Sequence, residues 1–372
     1  MKKQYFLMAM AATMFAACSQ TEVIDEVVDN STPKAIGFTT YAEGQTRAEN
    51  STGNYTWPLE NHHKTFKVWG YKNVSETKVF DNQLVEYSTS WGYTPLRYWD
   101  KAATDYEFYA AAPAKDKEDN YLGWALNQNT SAHNDDFFTL VNFGLKGVNL
   151  STKSDDTRKD SWLETSDIDL MIADEKNVPN ANFTTNPVEF QFNHILSRLN
   201  VTLYKDAVLE LETVTLKSIV VKGLNATGNF NESLMSGVDL KNGTHERWTN
   251  QATPRDIKLE GNYTIKEKPA GDTKFYVIQS LVIPQEFEYE NINLDGTTDE
   301  KKPYFVITYT IGNEEFVAYY NLAQAFGATS GKLYFNEGWE NILNITIKPT
   351  GIVLDATVAE WVFKSNKDLT IE

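Results

Sequence analysis

The chain has 372 residues, a net charge of −17, one cysteine and many aromatic residues, with 19 tyrosines, 20 phenylalanines and 9 tryptophans. The acidic charge argues against nucleic acid as a partner, because neutralising phosphates requires a basic surface. A single cysteine excludes a disulfide or a thiolate metal cluster within the chain. The length predicts about two domains, and the aromatic and β-branched residues are typical of a β-rich globular protein.

The first 17 residues predict a signal peptide. Lys2 and Lys3 precede the apolar run YFLMAMAATMFAA (5–17), which is short for a membrane span. The run ends in FAAC, which resembles the lipobox of bacterial lipoproteins, where the cysteine is lipidated and becomes the new N-terminus. Cys18 is therefore the predicted lipidation site, and lipid on it would anchor the protein to a membrane without a transmembrane helix.

A tether and one strand are predicted next. Residues 19–33 (SQTEVIDEVVDNSTP) are acidic and polar, which is typical of a tether. In KAIGFTTYA (34–42), Ile36, Phe38 and Thr40 recur at every second position. This period of two predicts a strand with one buried face.

Arg47 follows this strand in a loop rich in Gly, Asn, Ser and Thr. Between Cys18 and Leu59 the only basic residues are Lys34 and Arg47. An isolated arginine of this kind is either an ordinary surface residue or a site where a sequence-specific protease cuts, and exposed loops are where such cuts concentrate.

The rest of the chain reads as a succession of short strands separated by Gly, Asn, Asp and Pro. They are predicted at 65–71, 105–113, 167–173, 188–204, 214–223, 275–285, 304–322, 341–348 and 352–363. GNEE (312–315) has the composition of a hairpin turn. No amphipathic stretch is long enough for a major helix. The pattern favours all-β sandwiches over a parallel α/β fold, which needs helical crossovers.

The strand predicted at 188–204 contains an irregularity. Its apolar residues occupy even positions up to Phe192 and odd positions from Ile195 onwards. A one-residue β-bulge near Asn193–His194 would keep both halves facing a core, or the strand passes there from one sandwich to the next. We place a domain boundary just after this segment, near Tyr204.

Catalytic and metal-binding motifs are lacking, which predicts a protein that is not an enzyme and has no cofactor and no metal site. His62 and His63 are adjacent and point to opposite faces of an extended chain, so joint metal ligation is disfavoured. Asp167 and Asp169 share one strand face, and a polar outer face is the favoured interpretation. A β-sandwich glycosidase would need a paired-carboxylate cleft that the sequence does not reveal.

The tryptophans allow two interpretations. Trp57, Trp91 and Trp124 lie near turn residues and would suit exposed platforms on which sugars stack. Trp69, Trp99 and Trp361 lie in strand-like runs, which favours a place in the core. The alternative function is therefore a non-polymerising surface lipoprotein that binds glycan through exposed aromatic residues.

Several stretches, taken in order, resemble the fimbrillin family, the type V pilins and fimbrillin-like lipoproteins of Bacteroidetes-type bacteria. They are FAAC, TRA (46–48), LRYWDKAATDYEFYAAAP (96–113), DLMIA (169–173), VEFQFNHILSRLNV (188–201), LVIPQ (281–285) and IVLDATVAEW (352–361). Each motif is loose, whereas their order and spacing are specific. Residues 206–274 match the pattern least.

The resemblance implies an all-β fold of two tandem transthyretin-like Greek-key β-sandwiches. It divides the chain into a lipoprotein signal peptide (1–17), a tether and removable N-terminal strand (18–47), an N-terminal sandwich (48–204) and a C-terminal sandwich (205–372). The last of these would carry a donor strand near 352–363. Cys18 matches the lipidated cysteine, and Arg47–Ala48 matches the bond that an arginine-specific protease cuts.

The implied function is that of a structural subunit of cell-surface fimbriae, as shaft, tip or anchor, which polymerises by strand exchange and supports adhesion. The implied partners are other fimbrial subunits, the outer membrane through the lipid on Cys18, the protease, and a host or bacterial surface receptor. Such a subunit would be exposed on the outer membrane and would join the fimbrium after processing.

Overall fold

The protein is nearly all β, as the sequence predicts. The computed structural model describes residues 34–43, 56–61, 63–73, 77–128, 136–145, 163–164, 168–179, 187–235, 244–268, 276–288, 303–326 and 332–360. Within these ranges the one α-helix is a single turn, α1 (Leu322–Ala325). Short 3₁₀ turns lie at Leu59–Asn61, Ala207–Leu209, Glu232–Met235 and Thr244–Arg247.

The strands of the first half of the chain are short or of medium length. They are β1 (Phe38–Glu43), β2 (Thr56–Pro58), β3 (Thr65–Lys72), β4 (Thr77–Tyr87), β5 (Trp91–Gly92), β6 (Asp105–Ala112), β7 (Trp124–Asn127), β8 (Phe137–Gly144), β9 (Leu163–Glu164), β10 (Met171–Pro179) and β11 (Val188–His194).

The second half of the chain contains two long strands among shorter ones. The strands are β12 (Ser197–Lys205), β13 (Val214–Asn231), β14 (Trp248–Thr264), β15 (Tyr276–Val282), β16 (Gln285–Glu288), β17 (Tyr304–Ile311), β18 (Glu314–Asn321), β19 (Lys332–Phe335), β20 (Trp339–Lys348) and β21 (Gly351–Glu360). The predicted hairpin turn is confirmed, because Ile311 of β17 pairs with Glu314 of β18.

One sheet collects strands from the first half of the chain, in the order β2-β1-β11-β10-β6-β3-β4-β5. Its central strand β6 has the sequence DYEFYAAA and is buried along nearly its whole length. The alanines let neighbouring layers approach closely. At Gly70 of β3, an added Cβ would lie 2.8 Å from Cδ1 of Phe108, so only glycine fits beside that ring.

Two further sheets combine both halves of the chain. One has the order β21-β20-β12-β15-β9, and the other has the order β18-β17-β13-β8-β7 with β14 also paired to β13. The early strands β7 and β8 pair with each other, and β8 also pairs with the long strand β13, so this hairpin joins strands of the second half of the chain. A small separate ladder joins β16 to β19.

Three groups of buried side chains hold the sheets together. The aromatic core lies against one face of the first sheet and includes Phe38, Phe66, Phe80, Phe108 and Phe190. The middle core lies against its other face and includes Trp69, Tyr109, Phe138, Phe230 and Trp248. The C-terminal core packs between the other two sheets and includes Leu203, Leu216, Ile257, Phe305 and Ile345.

The chain changes sheets at the irregularity that the sequence shows near His194. Strand β11 ends at His194 in the first sheet, and β12 begins at Ser197 in the sheet of β20. Passage to another sheet, not a bulge within one strand, therefore explains the change of apolar phase. Trp248 fixes the crossing by donating its indole N–H to the carbonyl of Ile195 at 3.0 Å.

Candidate functional site

Strand β1 lies between two strands of the first sheet. It pairs in parallel with β11, from Phe38 opposite Val188 to Ala42 opposite Phe192. On its other side it pairs antiparallel with the short strand β2, which ends the sheet. Backbone pairing on both edges therefore holds β1 in place.

The inner face of β1 is buried in the aromatic core. Ile36, Phe38 and Thr40, which alternate along the segment, are all buried. The ring of Phe38 stacks on that of Phe190 at 5.7 Å and meets the ring of Phe80 at 5.5 Å. Removing this strand would leave an apolar groove beside an unpaired edge of β11, and such an edge is a template for another strand.

Residues 93–99, here named the clasp, close over the segment that leads into β1. The amide of Ile36 donates to the carbonyl of Arg97 at 2.9 Å, and the amide of Trp99 donates to the carbonyl of Lys34 at 3.0 Å. The Tyr93 hydroxyl donates to the carbonyl of Ile36 at 2.7 Å. Burial raises the pKa of Tyr93, which keeps this donor protonated.

The clasp was not predicted from the sequence. It pairs with residues about 60 positions earlier in the chain, and alternation within a segment carries no information on such pairing. The cluster of aromatic residues around Pro95 in WGYTPLRYW was the available signal.

The predicted processing residues Cys18, Arg47 and Ala48 lie outside the described residues. Their positions relative to β1 follow from the chain order. Strand β1 ends at Glu43, which pairs with Thr56 of β2. A cut between Arg47 and Ala48 would therefore leave β1 on one fragment and β2 on the other.

Cleavage alone would leave β1 held by all the contacts described above. Burying one phenylalanine side chain contributes about 1.5–3 kcal/mol, and the backbone pairing with β11 adds to it. A cut strand would therefore remain in its groove until another strand competes for the same place.

Strand β21, which overlaps the predicted donor segment, is an edge strand whose apolar face is less buried than that of β1. It pairs along its length with β20 and ends its sheet, and no second partner strand is found among the described residues. Ile352, Leu354 and Ala356 are half-buried against the C-terminal core. Val353, on the opposite face, is 46% exposed. Residues 361–363 of the predicted donor lie outside the described residues.

A cavity of about 540 Å³ lies beside the outer face of β1. Thr39 and Tyr41 of β1 form part of its wall, together with Glu175 and Glu189. Burial raises the pKa of Glu175, and the nearby carboxylates of Asp174 and Glu189 add to the effect. Because β1 supplies part of the wall, the cavity would open if β1 left.

The prediction for Asp169 is wrong. Its side chain is buried, and its Oδ2 lies 2.7 Å from Nδ1 of His194, the last residue of β11. A buried carboxylate needs such a partner, and the pair fixes the segment before β10 against the end of β11. Asp167 and His62 lie outside the described residues. In the part of the chain that is described, no group of three or more His, Cys, Asp or Glu residues could hold a metal ion.

The predictions for the tryptophans are partly confirmed and partly wrong. Trp69 and Trp99 are buried, as predicted. Trp124 is also buried and donates its indole N–H to the carbonyl of Pro113 at 2.9 Å, so its prediction as an exposed platform is wrong. Trp91 is half-buried, with its ring 4.9 Å from that of Phe66. The side chain of Trp57 and the whole of Trp361 lie outside what the structure describes.

A buried contact between an arginine and a glutamate lies near the loops that join the long strands. Arg247 contacts Glu337 at 3.1 Å, and both side chains are largely buried. Oε1 of Glu337 finds no hydrogen-bond partner among the described residues. Burial raises the pKa of Glu337 to about 8 against the opposing effect of Arg247, and the Glu232 carboxylate raises it further.

Among the described residues, no helix has the length and apolar character that a membrane span requires. The features that stand out in the described residues are a buried N-terminal strand under a clasp and a half-buried C-terminal edge strand.

Comparison with known proteins identifies relatives. The sequence model of a family described as fimbrillin-like matches residues 46–361. The fimbrium subunit Fim1C of Phocaeicola vulgatus is 27% identical over 235 residues, which are 60% of this chain and 56% of that protein. The chain thus matches little more than half the length of this relative.

One solved structure shows the same fold. A fimbrial protein from Bacteroides vulgatus superposes with a TM-score of 0.52 at 15% identity, over 88% of this chain and 100% of the other. A putative cell adhesion protein from Bacteroides ovatus gives a TM-score of 0.47 at 12% identity, over 90% of this chain and 100% of the other. The first of these likenesses places the chain in the fold of a fimbrial protein.

Proposed function

We propose, since the chain belongs to the fimbrillin-like family, that it is a structural subunit of a cell-surface fimbrium, as shaft, tip or anchor, and not an enzyme. The matched relative is named a fimbrium subunit. The proposed partners are other fimbrial subunits and a surface receptor through which the fimbrium supports adhesion.

The proposed route to the surface starts with lipidation at Cys18 and anchoring in the outer membrane. An arginine-specific protease then cuts between Arg47 and Ala48. Two observations support this cut: Arg47 lies in the connection between β1 and β2, and the family match begins at residue 46, after β1 ends. The proposed domains are the sandwiches predicted above at 48–204 and 205–372, with strand β12 at their boundary paired to β20 of the second.

The observation that carries the proposal is the burial of β1 in a groove that a second strand can fill. The inner positions of β1 are Ile36, Phe38 and Thr40, and β21 offers Ile352, Leu354 and Ala356 at the same spacing of two. A donor strand of 10 residues spans about 33 Å at about 3.3 Å per residue. It is therefore longer than the six-residue strand that it would replace.

Exchange of this kind builds a filament. The groove left by β1 and the donor strand β21 are different surfaces of the same chain. A contact between them is heterologous and does not close on itself, so each subunit both gives and receives a strand. Before cleavage, β1 fills the groove of its own subunit and blocks premature assembly.

The test treats the purified full-length protein with an arginine-specific protease. We expect new N-termini at Ala48 and a ladder of polymers that resists SDS. Arg47→Ala should abolish both. Arg158→Ala is the matched control, because Arg158 also lies in a polar stretch (DDTRKD), and this variant should assemble normally. Assembly of Arg47→Ala at the wild-type rate would refute the proposed activation step.

The alternative function, glycan binding through exposed tryptophans, loses support from the structure. Trp124 is buried, and Trp91 packs against the aromatic core. No described tryptophan therefore offers a fully exposed face of the kind that the alternative requires.

A further inference from the structure

An ordered turn between β12 and β13 presents two apolar side chains to solvent. This segment, residues 206–213, is here named the apolar turn. Its side chains Val208 and Leu211 are 78% and 97% exposed. The Lys205 ammonium fixes the turn by donating to the carbonyls of Leu209, Glu210 and Glu212 at 2.9, 3.0 and 3.0 Å. Large apolar side chains held outward on a fixed backbone are typical of a contact surface.

The apolar turn lies at the base of the proposed donor strand. The amide of Asp206 donates to the carbonyl of Ile347 at 2.8 Å, and the Asp206 carboxylate lies 3.6 Å from the Lys348 ammonium. Lys348 ends β20, and β21 begins at Gly351. The turn therefore stays beside the point from which β21 would leave the subunit.

A second apolar surface lies where the groove of β1 begins. Leu96 and Tyr98 of the clasp are 52% and 51% exposed. The clasp holds the segment that precedes β1, since Ala35 forms a β-bridge with Tyr98. Arg97 and Lys101 are also exposed on this surface, whereas Glu210 and Glu212 are exposed on the apolar turn. The two surfaces thus have opposite charges.

We propose that the apolar turn of one subunit docks on the clasp of the next copy of the chain, as a second contact beside the exchanged strand. This inference rests on the proposed function. If β21 enters the groove in the direction of β1, with Ile352 in the place of Ile36, Gly351 lies beside Tyr98.

The spacing along the chain then brings the two surfaces together. Lys348 precedes Ile352 by four residues, which span at most about 13 Å at about 3.3 Å per residue. The base of the donor strand, with the apolar turn bonded to it, must therefore lie close to the clasp of the acceptor. Apolar side chains meet there, and the opposite charges steer and orient the approach.

Cross-linking tests the contact directly. Cleavage after Arg47 removes Cys18, the one native cysteine, so introduced cysteines are unique. Protein carrying Leu96→Cys and Leu211→Cys is cleaved, polymerised, treated with a short bismaleimide and then boiled in SDS to dissociate exchanged strands. We expect a ladder of cross-linked subunits. The control pairs Leu96→Cys with Val317→Cys, an exposed position on β18, and should give no ladder.

The possible results of this experiment separate the docking contact from strand exchange. Polymers that form without a cross-linked ladder would overturn the docking contact and leave strand exchange standing. Failure to polymerise after cleavage would overturn the proposed function and the contact with it. A ladder from uncleaved protein would show that the two surfaces meet without strand exchange, which also contradicts the inference.

Charge reversal gives an independent readout. Arg97→Glu and Glu210→Arg should each slow polymerisation several-fold at low ionic strength, and the double variant should recover most of the lost rate. Added salt should reduce these differences because the charges are exposed. Equal rates for all four proteins at low salt would contradict the proposed charge pairing.

Discussion

Phe38 holds β1 in its groove through contacts with several aromatic rings. Its ring lies within 6 Å of the ring centroids of Phe66, Phe80, Tyr93 and Phe190. Each aromatic pair of this kind stabilises the folded state by about 0.5–1.5 kcal/mol in addition to the contribution of the buried apolar area. The same contacts stabilise the intact protein and would oppose the exchange of β1 after the proposed cut.

Replacing Phe38 should therefore affect two processes in opposite directions. We expect Phe38→Ala to lower the free energy of unfolding of the uncut protein by about 3 kcal/mol. After cleavage it should speed polymerisation, because the strand to be displaced is held less firmly. Denaturant titration and the rate of ladder formation measure the two effects. Thr39→Ala, on the exposed face of the same strand, is the control and should change both little.

Glu337 links stability to pH through its buried position beside Arg247. Its pKa is raised from 4.5 to about 8 in the folded protein, chiefly by burial. Between these values the folded state binds a proton that the unfolded state has released. The contribution of this residue to the free energy of unfolding therefore falls as pH rises from about 4.5 to 8.

Glu337→Gln should remove this component of the pH dependence. Relative to wild type, the variant should gain stability progressively from pH 5 to pH 8, by roughly 1 kcal/mol per pH unit. Urea unfolding at both pH values measures the difference. Glu210→Gln, at an exposed position, should leave the wild-type profile unchanged. A constant difference between Glu337→Gln and wild type across this range would contradict the argument.

At the scale of elements, β1 and β21 form a matched pair of strands with unequal burial. Both alternate apolar residues with a period of two, but the inner face of β1 is fully buried whereas that of β21 is half-buried. A strand that gives up less apolar burial when it leaves its own subunit is the better donor. Moving β21 into the groove of a neighbour would bury more of its apolar face.

A charge on the inner face of β21 should block its use as a donor. We expect cleaved Leu354→Asp protein to remain monomeric, because an unpaired carboxylate in the aromatic groove costs several kcal/mol. Val353→Asp changes the neighbouring residue on the opposite face and should still polymerise. Circular dichroism confirms that both variants fold, and gel electrophoresis without boiling scores the ladder. Equal ladders from the two variants would exclude this face of β21 as the donor surface.

How far the sequence predicts these elements depends on their apolar pattern. Strands such as β3 and β20, with apolar residues on alternate positions, are placed nearly to the residue. Strand β14 was missed, since its 17 residues bury few apolar side chains, among them Trp248, Ile257 and Leu259. Its position is set by pairing with β13, and a local pattern does not encode that pairing.

At the scale of the whole molecule, strand order is what local reasoning could not supply. The class, all-β, follows from composition and turn residues. The pairing of β8 with β13 joins residues that are about 90 positions apart. The clasp and the buried pair of Asp169 and His194 likewise arise from tertiary contacts, so the part of the candidate site that surrounds β1 became visible only in the fold.

The sheets also explain how one cut can change the state of the entire subunit. β1 lies near one end of its sheet, with only β2 beyond it, while the remaining strands of that sheet pair among themselves. The middle core, on the other face of the sheet, does not depend on β1. Loss of β1 would therefore open a groove while the rest of the subunit remains folded.

The central claim is that cleavage after Arg47 and loss of β1 convert the protein into a polymerising fimbrial subunit. The most direct test is the N-terminal sequence of subunits recovered from assembled fimbriae, with mass spectrometry of the same material to detect residues 34–43. The account predicts Ala48 as the N-terminal residue and no peptide from β1 in the polymer. Subunits that receive a donor strand while still carrying residues 34–43 would contradict it.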